Sequence, residues 1–338
     1  MSRALTIGRV GPGVTLQDEG RAGYLGFGLS RGGAADRLAL AEGATLLGQG
    51  RDLAVLEMAG MGGDFTAEDD MRIALTGAPM QVTLDGAALA WNASHAMPKG
   101  AVLSIGGART GSYGYLHVGG GFDAPKRLGA RGAHLAAGLG APLEQGARLE
   151  LGEDRGRGTG LTLDPGERFG GGTVRIVESF QTALFPQDEV ARFTATEFRR
   201  GARGNRMGVP LEQEGAGFTL EGGRNVLSDV VVPGDIQMTG DGTPYVLLAE
   251  CQTTGGYPRI GSVLPCDMPR LVQAGPGAPL RFAFVSLEEA VELERAAARH
   301  VETLDKRLSP LLRDPQRMAD LLSYDLISGV SAGDTHKH

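Results

Sequence analysis

Three segments of this chain combine hydrogen-bonding side chains with glycines, a pairing that suits ligand binding better than core packing. The longest segment follows the apolar run 245–249. Glycines at such a place let backbone N–H groups approach a ligand closely. The candidate residues are Gln17, Asp18 and Arg21 in the first segment, Asn205 and Arg206 in the second, and Gln252, Thr253, Thr254, Gly255, Gly256 and Tyr257 in the third.

These residue types point to amide chemistry. A carboxamide places a donor and an acceptor in one plane, which complements the N–H and C=O of a lactam or ureido edge. A guanidinium adds a planar fork suited to carboxylate or phosphate. A planar cyclic amide bearing an acid is therefore a sensible ligand. The alternative is that the same groups cap loops and satisfy buried backbone, and the residues alone leave both interpretations open.

Other catalytic motifs are weak in this sequence. Segments 28–32 and 329–333 both fit G-x-S-x-G, but a nucleophile elbow needs a strand before the serine, a helix after it, and later Asp and His partners. Ser30 comes too early to follow several strands, and Ser331 leaves almost no chain for partners. Walker A, G-x-G-x-x-G and H-E-x-x-H motifs are missing, and the six histidines are scattered. We therefore expect neither a P-loop nor a metal site.

Composition favours a β-rich fold. Glycine accounts for 55 of the 338 residues without a G-X-Y period, while 41% of residues are hydrophobic. Many short strands joined by tight turns explain this balance. The net charge of −7, without a long like-charge block, argues against a nucleic-acid partner. No run approaches ~18 apolar residues and the N-terminus lacks a signal-peptide core, so we expect a cytoplasmic protein without a membrane span.

Hydrophobic periodicity predicts a few helices among the many strands. Ser286 and Glu289 form a capping box in front of the clearest helix, and Asp314 before a proline starts another that extends to about Tyr324. The predicted helices are 35–47, 188–198, 287–304 and 314–324. The predicted strands are 4–10, 53–58, 72–75, 81–84, 101–105, 114–118, 148–151, 173–177, 218–220, 235–238, 245–249 and 280–285.

Taken together, the polar segments resemble the family called biotin-dependent carboxyltransferase, or allophanate hydrolase subunit 2, which includes urea amidolyase-related proteins. Residues 15–24 resemble its T-x-Q-D-x-G-R-x-G-Y pattern, and residues 205–208 match its N-R-M-G motif. Residues 252–258 match Q-T-T-G-G-Y-P, and Ile236-Gln237 keeps part of the intervening segment. The order of these motifs, spread over the chain to about residue 290, makes the resemblance specific.

The resemblance implies a mostly β fold with cyclophilin-like β-barrel architecture in two lobes and a C-terminal helical extension. The domains expected are an N-terminal lobe at 1–160, a C-terminal lobe at 161–290, helices at 291–327 and a disordered tail at 328–338. The boundary is placed in the Gly-rich stretch 152–172.

The function implied is that of one component in a heteromeric ATP-dependent enzyme that opens 5-oxoproline to glutamate. Its expected partners are a subunit of the Kip type and another of the LamB/YcsF type, with ATP as a co-substrate of the complex. One alternative is the carboxyltransferase component of a biotin-dependent carboxylase that acts on urea or a related amide. Another is a non-enzymatic regulator that binds the Kip-type partner.

Within this interpretation, Asp18, Arg206 and Gln252 are the candidate catalytic residues, and the other eight candidates bind substrate. The chain departs from the family pattern mainly in its first half, where segments 43–49, 129–133 and 140–143 lose polar groups. The second-half motifs are intact. We therefore place the site in the second half.

Overall fold

The computed structural model describes residues 3–220 and 226–312, and it confirms a mostly β protein with few helices. The helices are α1 (Arg37–Leu47), α2 (Gln187–Ala195), α3 (Met268–Gln273) and α4 (Leu287–Glu302). The strands are β1 (Ala4–Val10), β2 (Thr15–Gln17), β3 (Val55–Ala59), β4 (Gly63–Ala67), β5 (Met71–Gly77), β6 (Met80–Leu84), β7 (Ala87–Ala88), β8 (Ala93–Met97), β9 (Val102–Ala108), β10 (Tyr113–Val118), β11 (Arg148–Glu150), β12 (Leu161–Thr162), β13 (Gly172–Val177), β14 (Phe198–Arg200), β15 (Gly208–Glu212), β16 (Asp229–Val230), β17 (Asp235–Met238), β18 (Pro244–Leu247), β19 (Thr254–Gly255), β20 (Arg259–Val263), β21 (Pro279–Phe284) and β22 (Ser309–Pro310).

The first half of the chain forms two sheets that share one hydrophobic core, and the late strand β22 joins the edge of the second sheet. One sheet has the order β11-β1-β4-β9-β6-β7, and the other has the order β2-β3-β10-β5-β8-β12-β22. Alternating apolar residues such as Leu5, Ile7, Phe65 and Leu103 point inward and are fully buried. This alternation is what a half-buried antiparallel strand requires.

The second half forms a closed barrel in the order β13-β20-β17-β18-β15-β14-β21. Four phenylalanines fill it in tilted and edge-to-face contacts with centroids 5.1–6.0 Å apart, namely Phe193, Phe198, Phe218 and Phe282. The same core cluster includes Leu40 and Tyr115 of the first half. The two halves therefore share buried apolar surface.

Gln273 joins the halves by hydrogen bonds as well. Its Nε2 donates to the Asp36 carboxylate at 2.8 Å and to the Tyr113 carbonyl at 2.9 Å. Its Oε1 accepts from the backbone N–H groups of Ser112 and Tyr113, both at 3.0 Å. A fully buried carboxamide with four partners fixes how α3 sits on β10.

Three predicted helices are confirmed, with bounds shifted by a few residues. In α4 the Ser286 Oγ accepts from the Glu289 N–H at 3.1 Å, as the capping box requires. In contrast, the strand predicted at 218–220 is wrong, because Phe218 lies in an irregular segment and is buried by aromatic packing. The helix predicted at 314–324 and the tail at 328–338 lie outside the described residues. No helix in the described part of the chain is long and apolar enough to cross a membrane.

Candidate functional site

Asn205 and Gln252, the amide residues of the two second-half motifs, lie on one cavity of about 280 Å³. This volume is at the small end of the range for ligand pockets. The described residues that line it are all uncharged, and they are Asn205, Met207, Gln237, Thr239, Tyr245, Gln252 and Tyr257. The cavity thus offers carboxamides, hydroxyls and aromatic faces.

Asn205 is held by a tight turn that leads into β15. Its Oδ1 accepts from the backbone N–H groups of Met207 at 2.8 Å and Gly208 at 3.3 Å. An asparagine that caps its own turn in this way has a fixed side-chain direction. Its Nδ2 has no hydrogen bond to a described residue and is available to a ligand.

Gln237 is a residue that the sequence analysis did not select. It lies in the middle of β17, is 2% exposed, and lines the cavity. Its Oε1 accepts from the Gln252 Nε2 at 3.2 Å, while its own Nε2 is buried and has no partner among the described residues. The available signal was a carboxamide between the apolar residues Ile236 and Met238.

The close approach of Gly255 explains how this carboxamide is accommodated. A Cβ at Gly255 would lie 2.5 Å from the Gln237 Nε2, whereas a Cβ at Gly256 would have no contact shorter than 3.4 Å. Gly255 is therefore the one of the two glycines at which a side chain would collide with the amide.

Thr253 and Thr254 support the loop instead of lining the cavity. The Thr253 carbonyl accepts from the Val231 N–H at 3.0 Å, and Thr254–Gly255 forms β19, which pairs with β16. Arg259 anchors this small sheet through the Asp229 carboxylate at 2.6 Å. These contacts hold the backbone on which Gln252 and Tyr257 are carried.

Arg206 points away from the cavity and into the junction between the halves. Its Nε donates to Glu250 at 2.5 Å, its Nη1 donates to Glu57, and its Nη2 donates to the Gly33 carbonyl at 2.5 Å. Both carboxylates are 2% exposed. Each nitrogen of the guanidinium is thus occupied, so Arg206 joins the N-R-M-G turn to the first half. The predicted role in holding a substrate oxyanion stays a prediction.

The first-half candidates form a separate buried cluster that does not line this cavity. Asp18 uses both carboxylate oxygens on backbone, accepting from Gly20 at 2.9 Å and from Arg131 at 2.6 Å. Gln17 donates to Thr15 and to a carbonyl, and its Oε1 is unpartnered. Arg21 donates to two carbonyls, and its Nη1 is unpartnered. Proton transfer by Asp18 stays a prediction.

The serine of the first G-x-S-x-G segment meets a histidine. The Ser30 Oγ lies 3.0 Å from the His134 Nε2, and the His134 Nδ1 lies 3.9 Å from a Glu250 oxygen. Burial lowers the pKa of His134, so its ring is neutral. Ser30 and His134 are at most 3% exposed, and neither is among the described residues that line the carboxamide cavity. Within residues 3–220 and 226–312, no group of three or more His, Cys, Asp or Glu side chains is arranged to hold a metal ion.

Comparison with known proteins identifies the family. The family model described as carboxyltransferase domain, subdomain A and B, matches residues 27–284. The chain belongs to this carboxyltransferase family. It is 32% identical over 310 residues to the C subunit of the Escherichia coli 5-oxoprolinase, covering 90% of this chain and 98% of that protein. It is 31% identical over 286 residues to the C subunit of the Haemophilus influenzae 5-oxoprolinase, covering 83% of this chain and 91% of that protein.

A solved structure supports the fold assignment. The urea amidolyase of K. lactis superposes with a TM-score of 0.80 at 21% identity, covering 93% of this chain and 21% of that one. At this identity the similarity shows a shared fold. This family member therefore spans about a fifth of that larger enzyme.

Proposed function

We propose that this carboxyltransferase-family chain is one component of a heteromeric, ATP-dependent enzyme that opens 5-oxoproline to glutamate. The observation that carries the proposal is the uncharged carboxamide cavity formed by Asn205, Gln237 and Gln252. The relatives named as C subunits of 5-oxoprolinase, matched over more than four fifths of this chain, support the same substrate.

The carboxamide pair suits a ring amide. Gln252 donates to Gln237 at 3.2 Å, which leaves the Gln237 Nε2 as a donor and the Gln252 Oε1 as an acceptor. In this proposal the Gln237 Nε2 donates to the ring carbonyl, and the Gln252 Oε1 accepts from the ring N–H. Asn205, through its Nδ2, donates to the same substrate.

Such a pair distinguishes a ring from an open chain. A lactam holds its N–H and C=O on one edge because the ring forces the cis amide. An open-chain secondary amide reaches the same arrangement only at roughly 2.5–4 kcal/mol. The site therefore favours the lactam over open-chain secondary amides by about two to three orders of magnitude. Ring opening removes this edge, so the product dissociates readily.

Several candidate residues that do not line this cavity hold the loops that form it. Arg206 fixes the turn that carries Asn205, and Thr253, Thr254 and Gly256 shape the loop between Gln252 and Tyr257. Gln17, Asp18 and Arg21 act outside the cavity.

The proposal also implies partners. None of the seven described residues that line the cavity is charged, so in this proposal other groups neutralise the carboxylate of 5-oxoproline. The sequence carries no P-loop motif, so in this proposal ATP is bound elsewhere in the complex. Subunits of the Kip type and the LamB/YcsF type supply these parts, and the chain alone is inactive.

The test is reconstitution of the chain with and without these partners, followed by measurement of ATP-dependent glutamate formation from 5-oxoproline. Gln252→Ala should lower kcat/KM by about 30-fold, because one hydrogen bond to the ring and one to Gln237 are lost. Gln187→Ala, at an exposed position in α2, is the matched control and should not change the rate. A reconstituted complex that forms no glutamate would refute the proposal.

Carboxyl transfer is the second candidate, favoured by the description of the family model and by the fold shared with urea amidolyase. It predicts turnover of urea or a related amide with a carboxybiotin carrier. If the chain binds the Kip-type partner but the complex catalyses neither reaction, the regulatory role is the remaining candidate.

A further inference from the structure

A second cavity, of about 270 Å³, lies in the first half of the chain and is surrounded by arginines. Arg21, Arg127 and Arg131 line it, and the remaining lining residues are leucine, alanine, proline and glycine. Among the described residues, no acidic side chain lines this cavity. The three positive charges therefore face an apolar wall.

Two of these arginines have buried donors without a partner. Arg21 is 2% exposed, and its Nε and Nη2 donate to the carbonyls of Arg127 and Gly132, while its Nη1 has no partner. Arg131 pairs through its Nη2 with Asp123 at 3.0 Å, but its buried Nε also has no partner. Two of the arginines that line this cavity thus keep guanidinium N–H groups without a partner among the described residues.

The charge of Arg21 also lacks a directly bonded counter-ion. Burial lowers its pKa from the ordinary value, yet a guanidinium stays protonated in proteins. The neighbouring carboxylate of Asp18 accepts from the backbone N–H groups of Gly20 and Arg131. Burying a charge is unfavourable unless it is paired and hydrogen-bonded. An anion in the cavity would supply both.

We propose that this cavity binds a small organic carboxylate, whose oxygens accept from the Arg21 Nη1 and the Arg131 Nε. Hydrogen bonds from a guanidinium to a carboxylate are charge-assisted and roughly twice as strong as neutral ones. The short apolar body of the ligand packs against the wall that includes Leu16, Pro125 and Leu143. The apolar wall favours a carboxylate over phosphate, which would leave that surface without contacts. This site lies apart from the carboxamide cavity, and it does not depend on the function proposed for that cavity.

The first test measures thermal unfolding and calorimetric binding of the full chain at constant ionic strength, since salt screens exposed charges. The probes are propionate, inorganic phosphate and the neutral isostere propionamide. Propionate should raise Tm by about 3 °C or more in a saturable manner, and propionamide should have no effect. Saturable stabilisation by phosphate but not by propionate would overturn the carboxylate assignment. No saturable effect of either anion would overturn the site.

The second test uses variants at the less buried arginines. Arg131→Gln should weaken propionate binding by about tenfold or more, because a charge-assisted hydrogen bond is lost. Arg127→Gln should weaken it less, since its side chain is exposed. Arg155→Gln is the matched control, because its side chain is 84% exposed and pairs with Glu153. Wild-type affinity in Arg131→Gln with an unchanged circular dichroism spectrum would refute the assignment. The probe series uses the wild-type chain, so it tests the site whether or not a variant folds.

Discussion

Replacing Gly255 by alanine should damage ligand binding at the carboxamide cavity without destabilising the fold. The new Cβ would lie 2.5 Å from the Gln237 Nε2 and 3.3 Å from a Val231 methyl. Real Cβ atoms do not approach a nitrogen so closely, so the Gln237 amide must move. Its Oε1 holds the Gln252 Nε2 at 3.2 Å, so both carboxamides shift together.

The magnitude follows from the hydrogen bonds that are lost. A displaced Gln237 forfeits its bond to the ring carbonyl and weakens the one from Gln252 to the ring N–H. At about 1 kcal/mol for each neutral hydrogen bond, two of them change affinity by about 30-fold. Gly255 lies in β19 without a positive φ, so alanine fits the backbone there. Alanine also reduces the entropy of the unfolded chain, which stabilises by about 0.4–1 kcal/mol.

Gly256→Ala is the matched control, since its Cβ would lie 3.4 Å from the Val226 carbonyl and 3.5 Å from the Ser228 Oγ, which are ordinary contacts. The assay compares kcat/KM for 5-oxoproline in the reconstituted complex with the urea midpoint of each isolated chain. We expect a loss of about 30-fold for Gly255→Ala, wild-type turnover for Gly256→Ala, and similar midpoints. Equal losses in the two variants, or none in Gly255→Ala, would show that Gln237 does not set recognition.

Two further predictions concern buried charge. Arg206→Met should lower the free energy of unfolding by about 3–5 kcal/mol, because it leaves Glu57 and Glu250 buried without their cation. Urea titration checks this, and adding Glu250→Gln should restore part of the loss; an additive loss would contradict the pairing. Burial lowers the pKa of His117 from 6.5 to about 3, so only the unfolded chain gains a proton as the pH falls below 6.5. Stability is therefore full above that pH and declines in acid, and wild type should lose about 2 kcal/mol more than His117→Gln between pH 6.5 and about pH 5. Parallel curves for the two proteins would refute this, although the variant also alters the contact to Thr76.

The sequence predicts three of the four α-helices and half of the 22 strands in the described residues, because the signals for these elements are local. The apolar alternation of 4–10 predicts β1 with its observed bounds, and the capping box at Ser286 predicts the start of α4. The segment 218–220 fails this rule, because apolar residues that alternate with a polar one resemble a strand even where the Phe218 ring fills a barrel and the backbone pairs with no strand. Arg192 stacks on that ring at 3.9 Å, a contact that no local pattern encodes.

For the site, the order of the residues establishes the family and the kinds of groups available, because the carboxamides and glycines of the motifs are fixed by covalent sequence and spacing. Which of these groups face a ligand depends on the folded chain. Arg206 and its acceptor Glu57 are 149 residues apart, so no local sequence pattern shows that the guanidinium is hydrogen-bonded at the junction between the halves. Gln237 is missed for a different reason. It lies in a buried strand and resembles a core residue in the sequence, whereas closure of the barrel places its side chain beside Gln252. Side-chain pairing across the fold depends on distances that the chain acquires only when it folds.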